Sequence, residues 1–127
     1  MSYAITAQFY DAVAADQRAA VDAEIATALR GLDVRSGPVV DVGAGTGLST
    51  RLIARALPEA EVLAVEPDPA MRAALMTRIW SDPDLRARVS IVPSDLSSAP
   101  LPAVIAGCVA SASLVHFDPP RRRALWR

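Results

Sequence analysis

The stretch Val39-Val40-Asp41-Val42-Gly43-Ala44-Gly45-Thr46-Gly47-Leu48, continuing as STRLIARALP to Pro58, decides how this chain is read. Val39 to Val42 is a short β-branched run with its single charge, Asp41, near the C-terminal end, which is the composition of a buried strand. GAGTG at 43–47 breaks it, and Leu48, Leu52, Ile53, Ala56 and Leu57 then recur at helical spacing until Pro58 ends the helix. Strand, glycine turn and helix follow one another without an intervening loop.

The same unit recurs on either side. Glu61 to Glu66 (EVLAVE) reads as a second strand, after which Asp68 offers an N-cap with Pro69 at the first helical position, predicting a helix from Pro69 to Trp80. Asp82 and Pro83 could start a single helical turn before a third strand, Val89 to Val92. Residues 95–102 (DLSSAPLP) are a loop by composition, and Val104 to Ser111 reads as a fourth strand of small and apolar residues. Pro119-Pro120 opens a last helix. Upstream, Phe9 to Leu32 reads as an amphipathic helix, with Val13, Ala20, Val21, Ile25, Ala28, Leu29 and Leu32 on one face opposite Asp16, Arg18, Asp22 and Glu24. Gly31 suits its C-terminal end. Strands alternating with helices predict right-handed crossovers and a doubly wound α/β domain with a parallel sheet covered on both faces.

Composition narrows the function classes. The 127 residues are 52% hydrophobic and 21% charged, enough to bury one core and too apolar for intrinsic disorder. Thirteen basic residues, all Arg, against fourteen acids leave a net charge of -1, so no global field favours nucleic acid or an anionic membrane. Arg121-Arg122-Arg123 reads as a solvated helix start. One cysteine, Cys108, excludes an intramolecular disulfide framework and a cysteine-built zinc cage, and is expected to be buried and inert. The absence of an apolar stretch long enough for a bilayer, or of a secretory pattern at the N-terminus, makes cytoplasmic the expected location.

In a doubly wound sheet ligands bind at the carboxyl ends of the strands where strand order reverses, here the glycine turn. Without Cβ atoms, Gly43, Gly45 and Gly47 allow positive φ and close approach of backbone N–H groups to a ligand. Glu66, about twenty residues on and at the end of the second strand, is placed to accept hydrogen bonds from a ribose diol. The dinucleotide fingerprint needs a small residue where this chain has Leu48, and Asp41 beside the turn would repel a pyrophosphate. Asp41 suits instead a ligand carrying an ammonium and a sulfonium, and S-adenosylmethionine carries both.

VVDVGAGTG, VLAVEPDPAM, VSIVPSDLSSAPLP and VASASLVHFDPPRRRALWR, in that order, resemble the motif series of class I S-adenosylmethionine-dependent methyltransferases, and most closely the small-molecule methyltransferases. The resemblance implies a Rossmann-like sheet of strand order 3-2-1-4, with S-adenosylmethionine as cofactor. It implies that Asp41 receives the methionine ammonium and that Gly43, Ala44, Gly45 and Gly47 cradle the methionine and ribose. Glu66, with Pro67 after it, would hold the ribose hydroxyls. Met71 would pack on the adenine, Asp95 and Leu96 would read the adenine amino group and ring edge, and Ser111 with Ala112 would lie under the sulfonium. His116 aligns with the second histidine of a frequent L-H-H-L sequence, although Val115 replaces the first, and would be a general base where the acceptor loses a proton. No metal is implied. Each residue also has a plainer role open to it. Asp95 could make an Asx turn, Met71 could fill core, and His116 could cap or pack.

The resemblance covers only the front half or so of the family's catalytic domain, so residues 1–127 are expected to form a single, incomplete domain truncated after the fourth strand. That strand would then be an unprotected edge, leaving Val104, Ile105 and Val109 partly uncovered, with Leu125 and Trp126 exposed likewise. A fragment of a longer enzyme is the preferred reading. Completion by another chain, or strand exchange in a homodimer, are the alternatives. Two other function classes stay open: an NAD(P)-binding oxidoreductase domain, and a non-catalytic module pairing through the fourth strand. The acceptor is expected to be a small molecule whose identity these residues do not encode.

Overall fold

The computed structural model describes residues 9–111 and 118–124. In chain order the elements are α1 (Tyr10–Leu29), β1 (Val39–Val42), α2 (Leu48–Ala56), β2 (Val62–Val65), α3 (Pro69–Trp80), α4 (Pro83–Arg88), β3 (Val89–Val92), β4 (Gly107–Val109) and α5 (Pro119–Ala124). The four strands form one parallel sheet of order β3-β2-β1-β4, the order expected. The two central strands are the most apolar. Each is four residues long, and all of Val39, Val40, Asp41 and Val42 in β1 are buried.

The sheet has two differently covered faces. Val39, Val62 and Ala64 face the helices, packing with Leu29 of α1, Ile53 and Leu57 of α2, Leu75 and Ile79 of α3 and Leu85 of α4. Val40, Val42, Val65 and Val92 point the other way, onto Leu96, Leu101 and Ile105. Two crossovers that run in one direction, β1 to β2 to β3, put their helices on one face. The return from β3 to β4 must cross the other face, and here it does so as a loop from which Leu96, Leu101 and Ile105 cover that face.

Local sequence sets the helix starts. Asp68 accepts the N–H groups of Ala70 and Met71 at 2.9 and 3.0 Å, and Pro69 follows at N1. Asp82 does the same for Asp84 at 3.0 Å, so the expected single turn is the six-residue α4. Arg88, at the end of α4, donates to the carbonyls of Ala54, Leu57 and Ala60 at 2.9, 3.1 and 2.9 Å. These carbonyls belong to the last turn of α2 and its exit turn, where that of Leu57 also accepts the Ala60 N–H at 3.1 Å, so Arg88 ties α4 to α2.

Four expectations need correction. The fourth strand is Gly107–Val109, not Val104 to Ser111. Its ladder to β1 begins at Val39 opposite Gly107, with the Ala106 N–H donating to the Pro38 carbonyl at 2.9 Å. Pro38 has no N–H to return, and a Cβ on Gly37 would lie 2.6 Å from the Val104 carbonyl oxygen, so the chain passes across Gly37 instead of pairing with it. Val104 is 60% exposed. Cys108 is exposed, because it lies on the sheet edge and not inside a layer. α1 ends at Leu29, three residues before the expected end, with Arg30 as its cap and Gly31 beyond. On α1 the expected faces are also wrong in part: Val21 is 48% exposed, whereas the Arg18 side chain is only 19% exposed. With alanine at most neighbouring positions, the helix carries little contrast to fix its rotation, and packing on α2 fixes it instead.

Candidate functional site

The site lies where β1 and β2 end side by side. Asp41 pairs with Ala64 and Val42 with Val65, so the turns after the two strands leave the sheet at the same level. Gly43, Gly45 and Gly47 all have positive φ, at 67°, 58° and 92°, and they reverse the chain within five residues. The Ala44 N–H donates to the Val65 carbonyl at 3.0 Å, and the Gly47 N–H to the Ala44 carbonyl at 2.9 Å, which closes the turn against β2. The glycines are not equivalent. A Cβ on Gly47 would lie 2.7 Å from Leu75 Cδ1, so α3 packing requires glycine there, whereas beside Gly45 the nearest neighbour would be the Gly43 carbonyl oxygen at 4.0 Å. The space beside Gly45 is open.

Glu66 joins the two turns. One carboxylate oxygen accepts the Gly45 N–H at 2.8 Å and the other accepts the Asp68 N–H at 2.8 Å, while its own N–H donates to Val92. Each oxygen keeps a second lone pair. Pro67, next in sequence, is exposed, and its carbonyl accepts Arg72 Nη1 at 2.6 Å. Arg78 Nε donates to the Thr46 carbonyl at 2.9 Å, so α3 holds both turns from behind.

Asp41 lies one layer deeper and is fully buried. Its Oδ2 accepts the hydroxyls of Ser49 and Thr50, from the first turn of α2, at 2.9 and 2.7 Å. Its Oδ1 is buried and has no partner. Burial pushes the Asp41 carboxyl up to about 6, against the hydroxyls of Thr50 and Ser49 and the charge of Arg18, all of which pull it down, while the charge of Glu66 adds to the rise.

The other expected site residues are less concentrated. Ala44 is buried in the turn. Met71 is 3% exposed, so its side chain lies within the protein and not on an open wall. Asp95 Oδ1 accepts the Ser97 and Ser98 hydroxyls and the Ser98 N–H, which is the turn chemistry weighed as its alternative, and these bonds, that of Ser97 foremost, hold its carboxyl below the ordinary range. Leu96 is half-buried against Val40, Val42, Val65 and Val92. Ser111 lines a groove of about 310 Å³ between α1 and β4, together with Ile25, Leu29, Leu32 and Cys108. Ala112, His116, Leu125 and Trp126 lie outside the described residues. Sequence reading passed over Ser49, Thr50 and Arg18. The hydroxyl pair carried a signal, two adjacent hydroxyl residues in the first turn of a helix that folds back over an acid-bearing strand. Among the described residues no cluster of three or more metal-ligating side chains occurs, and no helix is long and apolar enough to cross a membrane.

A family model described as a methyltransferase domain matches residues 39–127. No curated protein sequence matches the chain. Among solved structures, the glycopeptide N-methyltransferase MtfA complexed with sinefungin is 31% identical, over 83% of this chain and 41% of its own, with a TM-score of 0.68. The DhpI complex with SAM and HEP is 25% identical, over 98% of this chain and 54% of its own, with a TM-score of 0.69. A Methanococcus maripaludis protein described as an S-adenosyl-L-methionine-dependent methyltransferase shares the fold at a TM-score of 0.77, with 20% identity over 95% of this chain and 56% of its own. The chain therefore spans 41% to 56% of the length of these structures.

Proposed function

The chain belongs to the methyltransferase domain family, and on that premise we propose that it binds S-adenosylmethionine at the turn after β1 and serves methyl transfer to a small-molecule acceptor. The observation that carries this reading is the 2.8 Å bond from the Gly45 N–H to Glu66, which brings the glycine turn and the acid one crossover later to a single place. The residues present fit the cofactor on two further counts. The orphaned Asp41 Oδ1 needs a donor, which an ammonium provides directly or through water. The open space beside Gly45 lets a ligand approach the backbone closely.

In this proposal Glu66 uses the second lone pair of each oxygen for the ribose hydroxyls, and its bonds to Gly45 and Asp68 orient it beforehand. Asp41 holds the ammonium. Gly43, Ala44, Gly45 and Gly47 form the cradle, with Pro67 at its rim. An adenine ring would reach Met71 only if that buried side chain became uncovered, and Asp95 would read the adenine amino group with the oxygen not engaged by Ser97 and Ser98. Leu96 and Ser111 complete the walls of the site. S-adenosylmethionine brings a methyl group already activated by a positive sulfur, so the protein contributes alignment and exclusion of water. Where the acceptor must lose a proton, His116 is the chain's single histidine and takes that role.

The family match and Leu48 opening α2 at the sixth place both support this reading over the dinucleotide alternative. Calorimetric titration of the chain with S-adenosylhomocysteine tests it. Wild type should bind and Glu66→Ala should bind at least about tenfold more weakly, as loss of hydrogen bonds to a charged acceptor implies. Folded wild-type protein that does not bind, or equal binding by the variant, would overturn the proposal.

A further inference from the structure

Arg72, half-buried in the first turn of α3, donates from Nη1 to two successive carbonyls, that of Glu66 at 3.0 Å and that of Pro67 at 2.6 Å. Two neighbouring carbonyls that meet one nitrogen cannot follow the alternation of an extended strand, and β2 has ended at Val65. Pro67 locks its own φ and restricts Glu66 before it, which leaves ψ of Pro67 as the freest torsion of the turn. That torsion sets the plane of the Pro67–Asp68 peptide. The carbonyl of this peptide accepts Arg72, and its N–H, that of Asp68, donates to Glu66 Oε1 at 2.8 Å. In a trans peptide the C=O and N–H point in opposite directions, so a cation that fixes one aims the other. The Arg72 N–H donates in turn to the Asp68 carbonyl at 3.0 Å, which closes the ring of bonds through the helix start.

Glu66 Oε2 accepts the Gly45 N–H, so the bond at Oε1 decides whether the carboxylate is held at both oxygens or pivots about one. The guanidinium also polarises the peptide that it grips, which strengthens the N–H on the far side as a donor. Its hydrogen bonds reach main-chain oxygens and leave the lone pairs that Glu66 offers to a ligand untouched. Resting on the cofactor reading above, we infer that Arg72 is a positioning residue for ribose recognition. By gripping the carbonyls of Glu66 and Pro67 it aims the Asp68 N–H at Glu66 and holds the carboxylate in the orientation that reads the ribose hydroxyls. Discrimination between ribose and deoxyribose is then set by a cation on α3 that acts through the main chain and has no need to touch the ligand.

The test measures, by calorimetry, binding of S-adenosylhomocysteine and of its 2′-deoxyribose analogue to wild type, Arg72→Leu, Arg72→Lys, Glu66→Ala and the Glu66→Ala/Arg72→Leu double variant. Wild type should prefer the ribose ligand by at least about tenfold, the worth of a hydrogen bond to a charged acceptor. Arg72→Leu should reduce that preference to within about threefold, and Arg72→Lys, whose ammonium can still donate to both carbonyls, should keep most of it. In the Glu66→Ala background the Arg72→Leu change should leave the remaining preference unaltered, because the effect passes through the Glu66 carboxylate. Equal weakening of both ligands by Arg72→Leu would make Arg72 a structural residue and overturn the inference, as would an effect on the preference that persists without Glu66. If Arg72→Leu does not fold, Arg72→Gln, whose amide reaches only as far as the arginine Nε, takes its place with the same expected loss. Wild type that binds neither ligand refutes the cofactor reading and the inference with it. Wild type that prefers the ribose ligand, with the preference unchanged in the Arg72 variants, refutes only the role of Arg72.

Discussion

Asp41 makes the stability of the ligand-free protein depend on pH in the direction opposite to that of most native carboxylates. The perturbation is a pH change between 4 and 8, applied to wild type and to Asp41→Asn. In the folded protein burial raises the Asp41 carboxyl from its ordinary 3.8 to about 6, over the opposing effects of Thr50, Ser49 and Arg18 and with help from Glu66. Below 3.8 the group is protonated in both folded and unfolded chains and contributes no difference. Between 3.8 and 6 the folded chain holds a proton that the unfolded chain has lost, so stability falls as pH rises, and above 6 the loss is complete. Those two or so pH units correspond to about 3 kcal/mol. That is a large share of the roughly 5–15 kcal/mol that holds a domain together.

Urea unfolding followed by far-ultraviolet circular dichroism at several pH values and constant ionic strength measures this. Trp80 is 62% exposed, which makes its fluorescence a weak reporter. Other groups titrate in the same range, so the informative quantity is the stability of Asp41→Asn minus that of wild type, in which their contributions cancel. That difference should move in favour of the variant by about 2.5 kcal/mol between pH 4 and pH 8, with its midpoint between 4 and 6. A difference constant to within about 0.5 kcal/mol across the range would refute the claim that Asp41 is held in a desolvated, incompletely bonded state.

Binding extends the same linkage. If an ammonium meets Asp41, S-adenosylhomocysteine should bind more tightly as pH rises through about 6 and release a proton below it, detected as a binding heat that depends on the ionisation enthalpy of the buffer. The two glycines should separate packing from binding. Gly47→Ala meets Leu75 at 2.7 Å and a φ of 92°, and should cost about 2–4 kcal/mol of stability by denaturant titration. Gly45→Ala meets only its φ of 58°, and should cost about 1 kcal/mol while weakening S-adenosylhomocysteine binding disproportionately. Arg88→Met removes a donor from each of the Ala54, Leu57 and Ala60 carbonyls, of which Leu57 keeps the Ala60 N–H, and should lower stability by about 2–4 kcal/mol with cofactor affinity little changed, since none of these groups borders the turn.

What the sequence revealed follows from the range of the interactions concerned. β1, its glycine turn and the caps at Asp68 and Asp82 rest on contacts within a few residues, and their positions agree with the residue pattern to within a position or two. The order of the strands rests on handed crossovers, a rule that needs only the alternation of elements. β4 was misjudged because an apolar run shows that a segment can be a strand, while the partner decides how much of it is. Gly37 and Pro38, seventy residues earlier in the chain, end the ladder at Gly107. Asp95 shows the converse case, since its local serines took the side chain into a turn that sequence chemistry had offered as the alternative.

The identity of Asp41 was legible but its electrostatic state was not, since that state is assembled from Arg18 of α1, Ser49 and Thr50 of α2, and Glu66 after β2, none of which shares a local pattern with it. Arg18 was the harder case. On an alanine-rich helix an arginine flanked by acids reads as solvated surface, whereas in the fold its side chain is only 19% exposed. Asp22, one turn on, engages its Nη2 at 3.4 Å, while its buried Nε stays unbonded, as Asp41 Oδ1 does. Two such atoms of opposite sign on separate elements are a poor solution for stability alone, since replacing both with apolar groups of similar size would remove both costs.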